Sequence, residues 1–399
     1  MAARTYDAVV VGAGIAGTAT ATCLRRHGMS VALLDARHPG WGASGRNPGF
    51  LWLQTKAPGL AMRFSLAARD YAGRVAAQFP DFGFRDSGGL ILYRDEAMAA
   101  VARAFVADRN AAGLPVELVD RTALLDLCPQ IGPDVSGAVW NPLDAHQDTA
   151  RLVALMADEF GSNGGDILAP ARVSRLDAAG STCSGVVLEG GETVSAGIVV
   201  VAAGPWSNEL LAPLGLAIDF RPTRFEAASA GPAPFRLGPV VAGQSLFRFF
   251  TPAGVDPDSL PRDPTERLSP ELGFTEQIAT AADGTLKFGC AYQVGSTSDQ
   301  ATVAGQAMAF SIMCRNFPAL AGLPLQAHWA GVVAQTPDTL PAMDVRCGVD
   351  GLAINAGHFS GNLAGAFCGH LMADALAGTA PEFDISAFSR TRFASAAVS

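Results

Sequence analysis

The sequence predicts an α/β Rossmann-like half interleaved with an α+β half built on a mixed or antiparallel sheet with helices. Three observations carry that expectation. An apolar strand, Val9 to Val11, runs into Gly12-Ala-Gly14-Ile-Ala-Gly17, and Asp35 closes the next apolar run, Val31 to Leu34. A further strand and Gly-rich helix start return at Ala353 to Gly365, so both chain ends are expected to build one site. Between them, from about Asp219 to Pro324, the texture changes to prolines and extended segments, as in a second domain.

Each element has a physical reason. Leaving the first strand, the turn must be tight, the backbone must approach a pyrophosphate, and the helix Thr18 to His27 must pack closely on the sheet. The helix N-terminus offers free N–H groups and a partial positive charge. Asp35, eighteen residues past Gly17, can accept hydrogen bonds from ribose hydroxyls, which disfavours a 2′-phosphate there. Helical spacing predicts helices over 61–78 and 97–110 around a short strand, Gly89 to Tyr93. A helix over 149–159 and strands over 172–176, 183–188 and 197–202 follow; the last is continuously apolar, which suits a strand covered on both faces. In the second domain, 245–250 and 285–292 read as extended and 300–314 as a helix, while the Pro- and charge-rich stretch 256–270 reads as a surface loop or mobile lid.

Composition removes several classes of function. With 399 residues, 49% of them hydrophobic, the chain can bury a large core. A net charge of −9 with only 28 Lys plus Arg argues against a nucleic-acid surface, which needs a basic stripe to displace counterions. Seven scattered cysteines lack CxxC or Cys/His spacing, so no metal site is expected and the thiols read as reduced. Neither a signal-peptide pattern nor an apolar stretch near 20 residues is evident. A cytoplasmic protein, at most peripheral to a membrane, is expected.

A second motif, Gly42-Ala43-Ser44-Gly45-Arg46-Asn47, follows the second strand at once. Together with the first motif, with Val199 to Ser207, and with Trp329-Ala-Gly331, Thr336-Pro-Asp338 and Gly357-His358 near the C-terminus, it resembles the FAD-dependent D-amino-acid oxidase, glycine oxidase and sarcosine oxidase superfamily over nearly the whole chain. The resemblance implies a glutathione-reductase-type FAD-binding domain made of 1–88, 145–218 and 325–399, and a substrate domain made of 89–144 and 219–324. It places FAD contacts on Gly12, Gly14, Gly17, Asp35, Ala43, Ser44, Arg46, Asn47, Val173, Ala203, Gly204, Gly357 and Gly361. Sarcosine-oxidase-like members carry a cysteine five residues before the Thr of Thr-Pro-Asp. Here that position is Gly331, so noncovalent FAD is implied.

Substrate recognition departs from the family pattern. Where related members carry carboxylate-binding arginines, this chain has Val333 and Ser360, which argues against simple glycine or D-alanine. Arg248 is the alternative carboxylate partner if it projects from an extended strand. Lysines occur only at Lys56 and Lys287; by resemblance Lys287 would face flavin N5 and assist oxygen reduction. His358 is the one histidine with a motif argument, orienting the flavin loop or contacting substrate, and Trp52 and Gln54 are candidate pocket or core residues.

These readings converge on an FAD-dependent amine or amino-acid oxidoreductase. The expected substrate is a secondary amine, an N-substituted amino acid or a D-amino acid, oxidised at its C–N bond by hydride transfer to N5 to give an imine that hydrolyses. O2, a quinone or another carrier takes the electrons, and a homo-oligomer is compatible with the sequence. Two alternatives stand beside it: an alcohol or hydroxy-acid oxidoreductase with His358 as base, and a flavin-binding subunit of a heteromeric dehydrogenase.

Overall fold

In the computed structural model, which describes residues 5–393, the N-terminal apolar run forms the strand Thr5–Val11, whose covered faces explain its composition. It pairs in parallel with Val31–Leu34 on one side and Thr193–Val201 on the other. Asp166–Leu168 and Leu352–Ala356 continue the parallel set outward, and Ala342–Asp344 closes one edge antiparallel. The hairpin Val173–Ala179 and Thr182–Leu188 leaves Thr193–Val201 antiparallel. The C-terminal strand Leu352–Ala356 is therefore two strands from the N-terminal one, which brings the chain ends together.

Helix Ile15–Arg26 locks that arrangement. It is buried on nearly every side through Leu24, and its threonines Thr20 and Thr22 return their hydroxyls to the carbonyls of Ala16 and Thr18. The C-terminal helix Gly361–Leu376 packs directly against it. A Cβ at Gly369 would come within 2.5 Å of Ala19 Cβ and 2.7 Å of Thr20 N, so the absence of a side chain there sets how closely the two helices approach.

The second sheet runs in the spatial order Leu325–Gln335, Arg221–Ala230, Leu286–Val294, Gly273–Thr280, Val240–Ala242, Gly89–Tyr93, Gly137–Asn141 and Glu117–Asp120. Its neighbours are antiparallel except for the parallel pairing of Val240–Ala242 with Gly89–Tyr93. Helix Val303–Asn316 covers one face, setting Met308, Ile312 and Met313 into the cluster that contains Ile278 and Phe288.

The structure departs from the sequence expectations at two places. Residues 325–335 form an edge strand of the second sheet, paired with Arg221–Ala230, so the chain returns to the first sheet only after Gln335. The run expected to be extended at 245–250 is instead the short helix Ser245–Phe249. Its bulky aromatic and apolar residues read as a strand, but a helical turn buries the adjacent pair Leu246 and Phe247 together, and Phe247 meets Phe105 edge-on at 5.2 Å.

Candidate active site

A cavity of about 350 Å³ opens where the parallel strands end, between the first helix and the returning C-terminal segment. The turn after Thr5–Val11 forms its floor. Gly12 takes φ +103°, and a Cβ there would lie 2.4 Å from the Ala202 carbonyl oxygen, so only glycine lets the two strand ends meet. Gly17 is placed by the same crowding, since its Cβ would fall 1.8 Å from the Gly12 oxygen; it does not line the cavity. Gly14, Ile15 and Ala16 do, which turns the helix N-terminus toward the space.

Two side chains prepare that floor. Asp35 Oδ2 accepts from the Ala13 N–H at 2.8 Å and Oδ1 from the Arg37 N–H at 2.8 Å, which leaves further lone pairs on a carboxylate at the cavity wall. Ser44 Oγ accepts from the Ile15 N–H at 2.9 Å, capping the helix from a different segment and keeping its own proton to donate. Ala43, Asn47, Val173, Ala203, Gly204 and Gly361 line the same space. Gly357 does not; at φ +72° it packs on Thr336 and Ala342.

Arg46 turns away from the floor to join the two sheets. Its Nη1 donates to Asp299 at 3.1 Å and to the Ala330 carbonyl at 3.0 Å, its guanidinium lies over Trp41, and its own carbonyl accepts from Trp329 Nε1 at 2.8 Å. The segment 42–47, which forms the short helix Ala43–Arg46, is thus fixed to the edge strand of the second sheet. His358 lines the cavity with Nε2 3.0 Å from Asn355 Oδ1, while the Asn355 amide donates to Thr20 Oγ1 at 3.2 Å. Burial lowers the His358 pKa to about 4, so its ring is neutral at physiological pH.

A second cavity of about 130 Å³ adjoins the first, and Ala43, Asn47, Val333, Phe359 and Asn362 line both. Its wall is aromatic: Phe249 stacks on Phe359 with centroids 6.0 Å apart, Phe225 tilts against Phe359 at 5.9 Å, and Phe50, Trp52 and Phe250 complete it. Polar groups are few. The Trp52 indole donates to Gln277 Oε1 at 2.7 Å, and Gln277 donates to Thr275 Oγ1 at 2.9 Å. Lys56 also lines the wall, its Nζ donating to Ser360 Oγ at 2.6 Å, and burial lowers its pKa to about 8. Ser360, one of the two positions read as a missing arginine, is therefore in contact with a cation from elsewhere in the chain.

Several expected residues lie apart from both cavities. Arg248, carried by a helix rather than a strand, donates to Glu266 Oε2 at 2.7 Å and to the Pro261 carbonyl at 3.1 Å. It fastens the 256–270 segment, which a capping box at Asp263 and the Arg315–Asp263 ion pair also hold; neither the carboxylate role nor the mobile lid matches this placement. Lys287 lines neither cavity; its charge acts on His146 and Asp283. Gln54 is buried behind the wall, donating to Asp144 Oδ2 at 2.5 Å, whereas Trp52 is at the wall. Sequence reasoning overlooked Trp41 and Trp206, which line the first cavity with centroids 6.0 Å apart, and the phenylalanines of the second. It also passed over Lys56, although the scarcity of lysine was a usable signal.

Comparison with known proteins decides the family. The FAD dependent oxidoreductase family, DAO, matches residues 7–375. This chain belongs to the DAO family. Among curated DAO-like relatives, it is 25% identical to an opine oxidase subunit of Rhizobium meliloti, with 97% of each chain covered. It is 26% identical to glycine oxidase of Geobacillus kaustophilus, again with 97% of each covered. The crystal structure of the glycine oxidase from Geobacillus kaustophilus superposes with a TM-score of 0.83 at 23% identity, covering 98% of this chain and 99% of that one. L-proline dehydrogenase from P. horikoshii gives 0.83 at 20% identity, with 99% of each covered. These structures share the fold.

The cavities fit the DAO cofactor. FAD needs an acceptor for its ribose, a glycine-lined turn and helix N-terminus for its diphosphate, and an enclosed place for its ring. Asp35, the Gly12–Ala16 turn and the segment from His358 to Asn362 offer these in one continuous space. At Gly204, φ +56°, an added Cβ would meet nothing within 4 Å, as expected where backbone faces a ligand rather than protein. The protein is an FAD-dependent oxidoreductase, its FAD held noncovalently.

Proposed function

We propose that this oxidoreductase, which acts on CH–NH or CH–NH2 groups, oxidises a secondary amine of the N-substituted amino-acid class. The observation that carries the reading is the second cavity: aromatic, adjoining the cofactor cavity through shared lining residues, and with no aspartate or glutamate at its wall. FAD bound next door supplies the hydride acceptor at N5. The protein's task is then to hold a neutral amine with its α-C–H about 3 to 3.5 Å from that acceptor and to keep water out, for which the Phe225, Phe249 and Phe359 cluster is suited. A relative named opine oxidase and a structural neighbour named L-proline dehydrogenase support a secondary amine as substrate.

An alcohol or hydroxy acid fits less well, because its oxidation requires a base for the hydroxyl proton. His358 has Nε2 engaged with Asn355, and at a pKa of about 4 it is a weak base at neutral pH. For an amine the proton leaves before hydride transfer, so kcat/KM should rise with pH as the free amine accumulates.

Anaerobic titration of the yellow protein with N-alkyl amino acids, D-amino acids and hydroxy acids, watching flavin bleaching, tests the proposal. Bleaching by the amines with a rising pH profile is expected; bleaching by hydroxy acids alone, or a flat profile from about pH 6 to about pH 10, overturns it. Admitting air, then a quinone, identifies the electron acceptor. Several relatives, the opine oxidase among them, are subunits by name, which favours a second reading in which this chain works beside a partner. Full turnover by the purified chain alone would exclude that reading.

A further inference from the structure

The second cavity presents an ammonium that makes no ion pair among the described residues. Lys56 carries it and contacts Ser360, and no acidic residue lines the wall. Asp144 lies close enough for its field to favour the ammonium, yet its oxygens are occupied by the Leu53 N–H at 2.6 Å, the Gln54 amide at 2.5 Å and the Asn141 amide at 2.8 Å. Arg46, the other cation at the wall, is already engaged with Asp299, Ala330 and the Trp41 ring. A buried ammonium whose one side-chain partner is a neutral hydroxyl is unfavourable, as its lowered pKa reflects. A bound anion would remove that cost.

The donor geometry also suits a carboxylate. An ammonium has three N–H donors, of which Lys56 gives one to Ser360, and the Ser360 hydroxyl accepts that bond while keeping its own proton to donate. Two donors on adjacent groups can thus meet two carboxylate oxygens. Besides the engaged Arg46 and a few neutral polar side chains, the wall is largely Trp52, the phenylalanines and small apolar residues, which offer contact rather than charge.

We propose that Lys56 and Ser360 hold the substrate carboxylate, while the aromatic wall receives a bulky apolar substituent of the same molecule. The assignment rests on the amine-oxidising reading above and narrows it to an N-substituted amino acid with an apolar or aromatic group. Phe225 and Phe249 come from elements distinct from those of Lys56 and Ser360, so that part of the wall can be altered separately from the charge.

The test uses FAD-loaded enzyme and a carboxylate without an oxidisable amine. 2-Furoate is compared with 2-furamide, its uncharged counterpart, by titration calorimetry and by perturbation of the visible flavin band. Wild type is expected to prefer furoate. Lys56→Met should weaken furoate by about 30-fold and leave furamide within about twofold, and Lys56→Arg should recover most of the loss. Ser360→Ala, which retains the lysine, should weaken furoate by about threefold, and it tests the site if Lys56→Met fails to hold FAD. Equal binding of furoate and furamide to wild type, or furoate affinity unchanged by Lys56→Met, overturns the proposal. So does a Lys56→Met enzyme that binds furoate normally but is reduced slowly by substrate, since that makes Lys56 a base. Failure of every amine to bleach the flavin would remove the amine reading without touching the furoate result. Bleaching by amines with furoate indifferent to Lys56 would remove only this assignment.

Discussion

The two joined cavities are built by different means. The cofactor cavity is largely a backbone construction: a strand end, a turn, a helix N-terminus and a glycine-lined return, with Asp35 and Ser44 bonded to main-chain N–H groups. The second cavity is a side-chain construction in which Phe50 and Trp52, Phe225, Phe249, and Phe359 arrive from four separate segments. A site made of backbone imposes short, local requirements on the sequence. A site made of side chains imposes only that bulky apolar groups converge, which many sequences satisfy and no short motif records.

The sharpest way to break this contrast is at the backbone. Gly12→Val should lose FAD binding by roughly 100-fold or more, from positive-φ strain together with the collision against the Ala202 carbonyl. The ratio of absorbance near 450 nm to protein absorbance reads it out, and a normally yellow variant would refute the backbone account. Arg248→Met comes next. Removing one partner leaves Glu266 buried without its cation, so stability should fall by about 3 kcal/mol, with KM unchanged in the fraction that remains folded. A raised KM at unchanged melting temperature would restore Arg248 to the substrate site.

Asp35→Ala probes the boundary between the two kinds of construction, because a side chain there supports both the turn and the ribose. FAD affinity should drop by about tenfold, measured by fluorescence on release, with the substrate profile intact. The smallest effect is at His358. Its folded pKa of about 4 lies below the unfolded value, so unfolding takes up a proton as the pH falls through the ordinary histidine range. The stability from keeping it neutral is complete above that range and is lost toward acid. His358→Gln should flatten the acid limb by about 1 kcal/mol by about pH 6, in denaturant titrations at equal FAD saturation; a profile parallel to wild type would show that this ring is not held neutral. His146, also lowered to about 4, contributes with the same sign and sets the residual slope.

Legibility followed the same division. Helices Leu60–Gln78 and Glu96–Ala111 match their periodicities because each buries one apolar face, and strand Gly89–Tyr93 is legible as a short apolar run covered on both faces. Ser245–Phe249 is not, since five residues, three of them Leu or Phe, carry no period that separates a turn of helix from a strand. Lys287 drew attention by resemblance and Arg248 by its setting, whereas Lys56 had neither a motif nor an amphipathic face. It became conspicuous only when its contact with Ser360, 304 residues later, was visible.

By itself the amino-acid sequence determined the nucleotide half, the family and the cofactor, because glycines at fixed spacing and an acid at a strand end answer to steric and hydrogen-bonding needs within a few residues. The tertiary structure alone decided that residues 325–335 join the second sheet, that Arg248 is paired with Glu266, and that Lys56 reaches the second cavity. Those outcomes depend on which side chains meet across distant segments, and long-range contact leaves no local pattern in the chain.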